Sequence, residues 1–169
     1  MDIGSVQNQM RTQGNAIAAL AAELTYEQAR WKPNPESWSV LEVLNHLLDE
    51  EILDFRCHLD HLLHTPEAPW PEIDPQGWVT QKRYNERDLD ETLSKFNTER
   101  ENSLAWLSTL EDPNWESKAA FPWGALSAGD MLASWLAHDL LHIRQLVELR
   151  YALNQQTSEP YHVEYAGKW

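Results

Sequence analysis

His138 and His142 lie four residues apart in AHDLLHIRQL, an apolar run that reads as helix. Side chains at i and i+4 share one face of an α-helix, one turn apart. Both imidazoles can therefore turn ring nitrogens toward a single ion, as paired histidines of zinc sites do. At 100° per residue, Met131, Trp135, Leu146 and Leu149 fall within about 80° of His138. That sets the pair on the flank of the buried stripe and off the solvent face. The spacing fits two satisfied core histidines as well. A catalytic centre of zinc type needs three protein ligands and an open position, so a third ligand has to come from elsewhere in the chain.

Five other histidines are available. His58, His61 and His64 crowd together with Asp54, Arg56 and Asp60, and the expectation for them is a solvated, charged surface. His162 sits in a tail with no pattern. His46 differs, because Glu42 and Glu50 flank it one turn to either side, and such carboxylates orient an imidazole or join it around a metal. Against His46, a helical wheel puts the apolar centre of its helix nearly opposite it, with only Val43, Leu53 and Cys57 nearby. It belongs to a buried site only if the second side of that helix faces a groove or an interface. Glu51 falls inside the apolar arc. A buried carboxylate needs a partner, and desolvation raises its pKa, which makes Glu51 the candidate general base. Gln145, one turn beyond His142, can hydrogen-bond a bound ligand or serve structure.

Helices have to position these groups, since strand patterning is nearly absent. Four long helices are expected over about 3–24, 39–64, 88–110 and 127–153. Ser39 with Glu42, Asp88 with Glu91, and Ser127 with Asp130 have the spacing of helix-opening caps. Thr25 and Gln28 mark a short extra turn, and Pro33 and Pro35 make the stretch after it a loop. TPEAPWPEIDP stops the second helix, and the connection to about Tyr84 is the longest in the chain. NWESKAAFPWGAL reads as loop or a short extended piece with a turn at Gly124. No repeat or low-complexity block appears. The architecture expected is an all-α four-helix bundle with one long crossover between the second and third helices. At 169 residues the chain suits one domain, 1–169, ending in an unpatterned tail over 154–169.

Trp38-Ser39, Glu42 and His46 in the second helix, then His138, His142 and Gln145 in the last, resemble the DinB-like superfamily of four-helix bundles in order and spacing. The resemblance spans most of the chain. It implies a metal site built from His46, His138 and His142, with zinc or nickel the usual ion and water in the other positions. Glu51 matches a glutamate frequent in the family five residues after the second-helix histidine. Family activities run from metal-dependent hydrolases to thiol S-transferases that use bacillithiol or mycothiol. The resemblance thus implies a metal-dependent enzyme acting on a small molecule, a low-molecular-weight thiol as cofactor if the transferase activity holds, and a homodimer.

Bulk properties narrow the classes further. A net charge of −14 and a pI near 4.8 argue against nucleic acid or anionic membrane as partner, because neutralising phosphates needs a basic patch. No apolar run reaches the ~20 residues of a membrane helix, and no signal-peptide pattern is present. The lone cysteine, Cys57, excludes an internal disulfide, suits a cytoplasmic location and reads as a packing residue. Trp38, Trp123, Trp135, Tyr161 and Tyr165 are candidates to line a pocket. A di-metal carboxylate bundle is disfavoured, since it needs Glu-x-x-His on two helices, whereas Glu42 precedes His46 by four residues. The alternative from another class is a non-catalytic, stress-related helical dimer or binding module whose metal is structural or vestigial. Wide apolar arcs on the second and fourth helices fit a subunit interface as well as a core.

Overall fold

Ser39 opens the helix that carries His46. Its hydroxyl accepts the Glu42 amide at 3.1 Å, while the Glu42 carboxylate takes the Ser39 N–H at 2.8 Å. Two amides with no partner inside the helix are satisfied reciprocally. The helix then runs as α3 (Val40–Glu50), passes through a π-helical turn at Glu51–Phe55, and continues as α4 (Arg56–His64). Such a turn shifts the phase of the buried face, and both Glu51 and Phe55 point inward from it. The computed structural model describes residues 1–167, so the last two positions of the expected domain, 168–169, lie outside the described residues.

The remaining long helices are α1 (Ile3–Ala21), α6 (Leu89–Ser108) and α7 (Ala128–Thr157), with a short α2 (Tyr26–Arg30) after α1. The expected four-helix bundle is present. α1 packs on α6 and α7, and α3 packs on α6 and α7 as well. Ends differ from the sequence expectation for local reasons. α1 stops at Ala21, just before Glu23 takes a left-handed backbone at φ 57°. α7 runs on to Thr157, with no proline before Pro160 to break it. The Asp88 cap is half-formed: Asp88 accepts the Glu91 amide at 2.9 Å, but the Glu91 carboxylate turns to Lys95 at 2.6 Å.

Two segments hold more regular structure than expected. The crossover contains α5 (Pro75–Gln81) and a 3₁₀ turn at Tyr84–Glu86. Between α6 and α7, β1 (Lys118–Phe121) and β2 (Gly124–Ser127) form an antiparallel hairpin with Phe121 opposite Gly124. Gly124, at φ 143°, takes a backbone that side chains rarely adopt. No helix among the described residues is long and apolar enough to cross a membrane.

The interior is layered along the helix axes. One apolar cluster contains Met10, Leu59, Leu62, Leu104, Leu132 and Trp135; another contains Ile17, Leu44, Leu47, Phe96, Leu146 and Leu149. On α6, Leu104 and Phe96 flank Arg100 by one turn each, so a buried charge falls between the two layers. On α7, Trp135 and Leu146 likewise bracket Asp139 and His142. The helices are apolar above and below a polar layer, and that layer holds the chemistry.

The crossover decides what else is buried. Arg87 donates to the Asn45 side chain at 2.9 Å, Lys82 to Asp49 at 2.9 Å, and the Tyr84 hydroxyl to Asp49. These bonds cover the second side of α3, so nearly the whole helix is buried. His58 and His61 do not form the solvated surface expected of them; they are 1% and 8% exposed. Trp70 of the crossover stacks on His58 at 4.2 Å and meets His61 edge-on. His58 Nδ1 donates to Asp54 at 2.6 Å and Nε2 to the Pro71 carbonyl at 2.9 Å. Both partners are acceptors, so both ring nitrogens carry protons. Burial opposes that charge, but these bonds outweigh it and hold the His58 pKa above its ordinary value.

Candidate metal centre

His46 from α3 and His138 and His142 from α7 meet in the polar layer, with ligand-capable atoms all within 4.8 Å of one another. The Nε2 atoms of His138 and His142 are 3.0 Å apart. The His46 ring lies 4.8 Å from that of His142 and 5.4 Å from that of His138, centroid to centroid. His46 is 4% exposed. The wheel misplaces it because it assumes one buried face; here Trp38 sits edge-on to the other side at 4.9 Å, and α7 supplies two more rings.

The carboxylate that joins them is Glu50. One oxygen lies 2.9 Å from His138 Nε2, the other 3.5 Å from His46 Nε2. Burial raises the Glu50 pKa, although the His138 hydrogen bond opposes the shift. Glu42, the other flanking carboxylate, turns away into its cap and a 2.7 Å ion pair with Lys32. Glu51 turns away too. Its Oε2 accepts from Arg100 at 2.9 Å and from the Trp135 indole at 3.3 Å, and it does not line the cavity described below. The wheel correctly buried Glu51, but it could not show that a cation from α6 waits there. The signal for Glu50 was its place one turn after His46.

Gln145 accepts from His142 Nδ1 at 2.7 Å. That bond keeps the proton on Nδ1 and leaves the Nε2 lone pair directed at His138. More lone pairs than protons therefore converge among His138 Nε2, His142 Nε2 and the Glu50 oxygens. The buried His46 Nδ1 has no hydrogen-bond partner within the protein. Crowded acceptors with too few protons are what a cation would relieve, and neutral imidazoles with a carboxylate match the donor preferences of a divalent metal. The residues present fit such an ion. Replacing Gln145 by leucine is expected to weaken zinc binding about 10–100-fold, measured by competition with a chelating dye. Unchanged affinity would make the bond incidental.

Protonation is set by the same burial. Desolvation first, then His142 and His138, pushes the His46 pKa down to about 3; desolvation and His138 push that of His142 down to about 4. Both are neutral at pH 7, the form that ligates metal. Unfolded histidines titrate near 6.5, so below that pH the unfolded chain binds protons that the native site refuses. The metal-free protein is expected to lose stability from about pH 6.5 down toward 4, by up to about 1.4 kcal/mol per pH unit for each group. Urea unfolding of His46→Gln should show a shallower pH slope than wild type across this window. Equal slopes would mean that His46 titrates freely.

The histidines open onto a cavity of about 700 Å³ lined also by Pro33, Trp38, Pro75, Gln76, Gln145 and Leu149. Pro75 and Gln76 come from the crossover, which therefore builds one wall. Of the other aromatic candidates, Trp135 is core, stacked on Phe55 at 5.7 Å, while Trp123, Tyr161 and Tyr165 are exposed away from the cavity. Cys57 is exposed and not packed; partial burial and the nearby Asp60 and Asp54 push its thiol pKa up, against reactivity. His64 pairs with Asp60 at the surface, and His162 is exposed.

A helical bundle with three histidines from two of its helices, opening on one cavity, defines a class of candidate metalloprotein. The chain belongs to the DinB superfamily, whose family model matches residues 9–146. Among solved structures it is similar to YfiT from Bacillus subtilis, described as a probable metal-dependent hydrolase with an unusual four-helix bundle topology. That likeness has a TM-score of 0.77 at 17% identity, over 90% of this chain and 87% of that one. No curated protein matches the sequence.

Proposed function

We propose that this protein is a metal-dependent hydrolase of a small molecule, with His46, His138 and His142 holding the ion and Glu50 accepting the proton of the attacking water. The observation that carries the reading is the convergence of three imidazoles and one buried carboxylate at a cavity wide enough for a small molecule. The description of YfiT, which shares the fold, supports it. A divalent cation in this position supplies Lewis acidity, polarising a carbonyl and acidifying water. The chain's own contributions are separable. Gln145 holds the His142 tautomer, Glu50 receives the proton, and the crossover wall with Trp38 limits access of bulk water. Glu50 takes the general-base role that the apolar arc suggested for Glu51, because Glu51 is committed to Arg100.

A structural-metal reading is weaker. Structural sites are closed to solvent, whereas these three rings line a cavity that leaves room for water or substrate at the ion. Thiol S-transfer would use the same Lewis acidity, but the carboxylates around the cavity count against an acidic thiol as cosubstrate.

The test is elemental analysis of the purified protein, followed by ester and amide hydrolysis with zinc or nickel restored. Glu50→Gln is expected to keep its metal and lose at least about 100-fold in kcat. Less than stoichiometric metal, or hydrolysis unaffected by His138→Ala, would overturn the proposal.

A further inference from the structure

We propose that the cavity selects substrates bearing a positive charge, with an ammonium group held between Trp38 and the carboxylates of Glu36 and Glu148. The inference rests on the metal-dependent reading of the site, but its test is independent of turnover. The charged residues lining the cavity are Glu36, Glu50 and Glu148, and no lysine or arginine is among them. Lys32, close in sequence, is tied to Glu42 at 2.7 Å. Arg144 reaches Glu148 at 3.4 Å, but both side chains are largely exposed, and such surface pairs neutralise little.

Position turns this charge into recognition. The Asn34 side chain accepts the backbone amides of Glu36 and Ser37, each at 3.0 Å. That turn fixes the backbone of the loop that carries Glu36 and Trp38, both of which line the cavity. Glu148 lines the same cavity from α7, almost three turns after His138 and one turn after Gln145. The indole of Trp38 offers the aromatic surface that attracts ammonium groups, while Pro33, Pro75 and Leu149 supply apolar walls for an organic body.

A divalent ion on neutral imidazoles adds two positive charges against three carboxylates, which leaves the lining negative. The chain's net charge of −14 gives the surrounding field the same sign. An anionic substrate would meet repulsion at the rim before reaching the metal. A cationic one gains on approach and on arrival.

Three probes of matched shape separate charge from shape: benzylammonium, benzyl alcohol and benzoate, titrated into zinc-loaded and metal-free protein with Kd read by NMR. In both forms benzylammonium is expected to bind about tenfold more tightly than benzyl alcohol. The preference should fall to about threefold or less in Glu36→Gln/Glu148→Gln, and should shrink with added salt. Equal binding of ammonium and alcohol, tightest binding of benzoate to the metal-free protein, or a preference that survives the double substitution would overturn the inference. A protein that holds zinc yet shows no ammonium preference fails this inference alone. One that binds no zinc but keeps the preference fails the hydrolase reading alone.

Discussion

Changing His138 to alanine is expected to lower zinc or nickel affinity by at least about 100-fold, beyond what loss of an outer hydrogen-bond partner costs, and to abolish hydrolysis. The expectation follows from how much converges on this ring. Its Nε2 lies 3.0 Å from that of His142 and 2.9 Å from Glu50, so removal deletes one ligand and releases a buried carboxylate from its partner. Two imidazoles do not make a competent centre of zinc type. His61→Ala is the control, since His61 is equally helical and more buried than His138, but it packs on Trp70, away from the cluster. Metal content measured by elemental analysis after dialysis decides the matter. A His138→Ala protein that retains stoichiometric metal, or a His61→Ala protein that loses it, would place the ion elsewhere.

Arg100→Met is expected to destabilise the fold by about 3–5 kcal/mol. The guanidinium is buried and holds Asp139 by two bonds, at 2.5 and 3.0 Å, Glu51 at 2.9 Å, and the Met10 carbonyl at 3.1 Å. Burial raises the Glu51 pKa despite Arg100, so two dry carboxylates already share one cation. Without it, both are left uncompensated. Gly14 on α1 makes the approach possible: a Cβ there would come within 3.2 Å of the Arg100 side chain. A mid-helix glycine costs about 1 kcal/mol, offset here by access to the network.

The same arginine braces the candidate metal centre. Glu51 adjoins Glu50 in the chain, and Asp139 adjoins His138, so one clamp on α6 fixes the two segments whose other side chains meet at the cation site. Arg100→Met should therefore weaken metal binding in addition to stability. Urea unfolding gives the first effect and chelator competition the second. The triple change Arg100→Met, Glu51→Leu, Asp139→Leu should recover most of the stability, because a well-packed apolar triad often equals or betters a buried ionic one. A loss below about 1 kcal/mol for the single change would mean that water reaches the network.

Much of this was legible in the linear pattern. Capping residues and apolar periodicity are local, and they located the four helices, the reciprocal caps at Ser39 and Ser127, and the one-faced pair on α7. The pair and His46 also stood out through the resemblance to the DinB-like bundles. Local pattern could not decide which carboxylate accompanies them. Glu50 and Glu51 are neighbours in the chain, and the wheel favoured the one that sits deeper in the apolar arc.

Packing between distant segments decided the rest. The second side of α3 is buried because the crossover and α7 cover it, which brought His46 inside against its own wheel. Trp70 closed over His58 and His61, whose surroundings in the chain are charged. Arg100, separated from Glu51 by α4, the crossover and the first half of α6, claimed the carboxylate that the apolar arc offered as a base. A helix reports which of its faces is apolar; it carries no record of what its polar face will meet. For this chain, sequence determined the scaffold, two of the histidines by periodicity and His46 by resemblance, while the burial of His46, its carboxylate partner and the cavity wall arose only from helices and a crossover brought together across long stretches of chain.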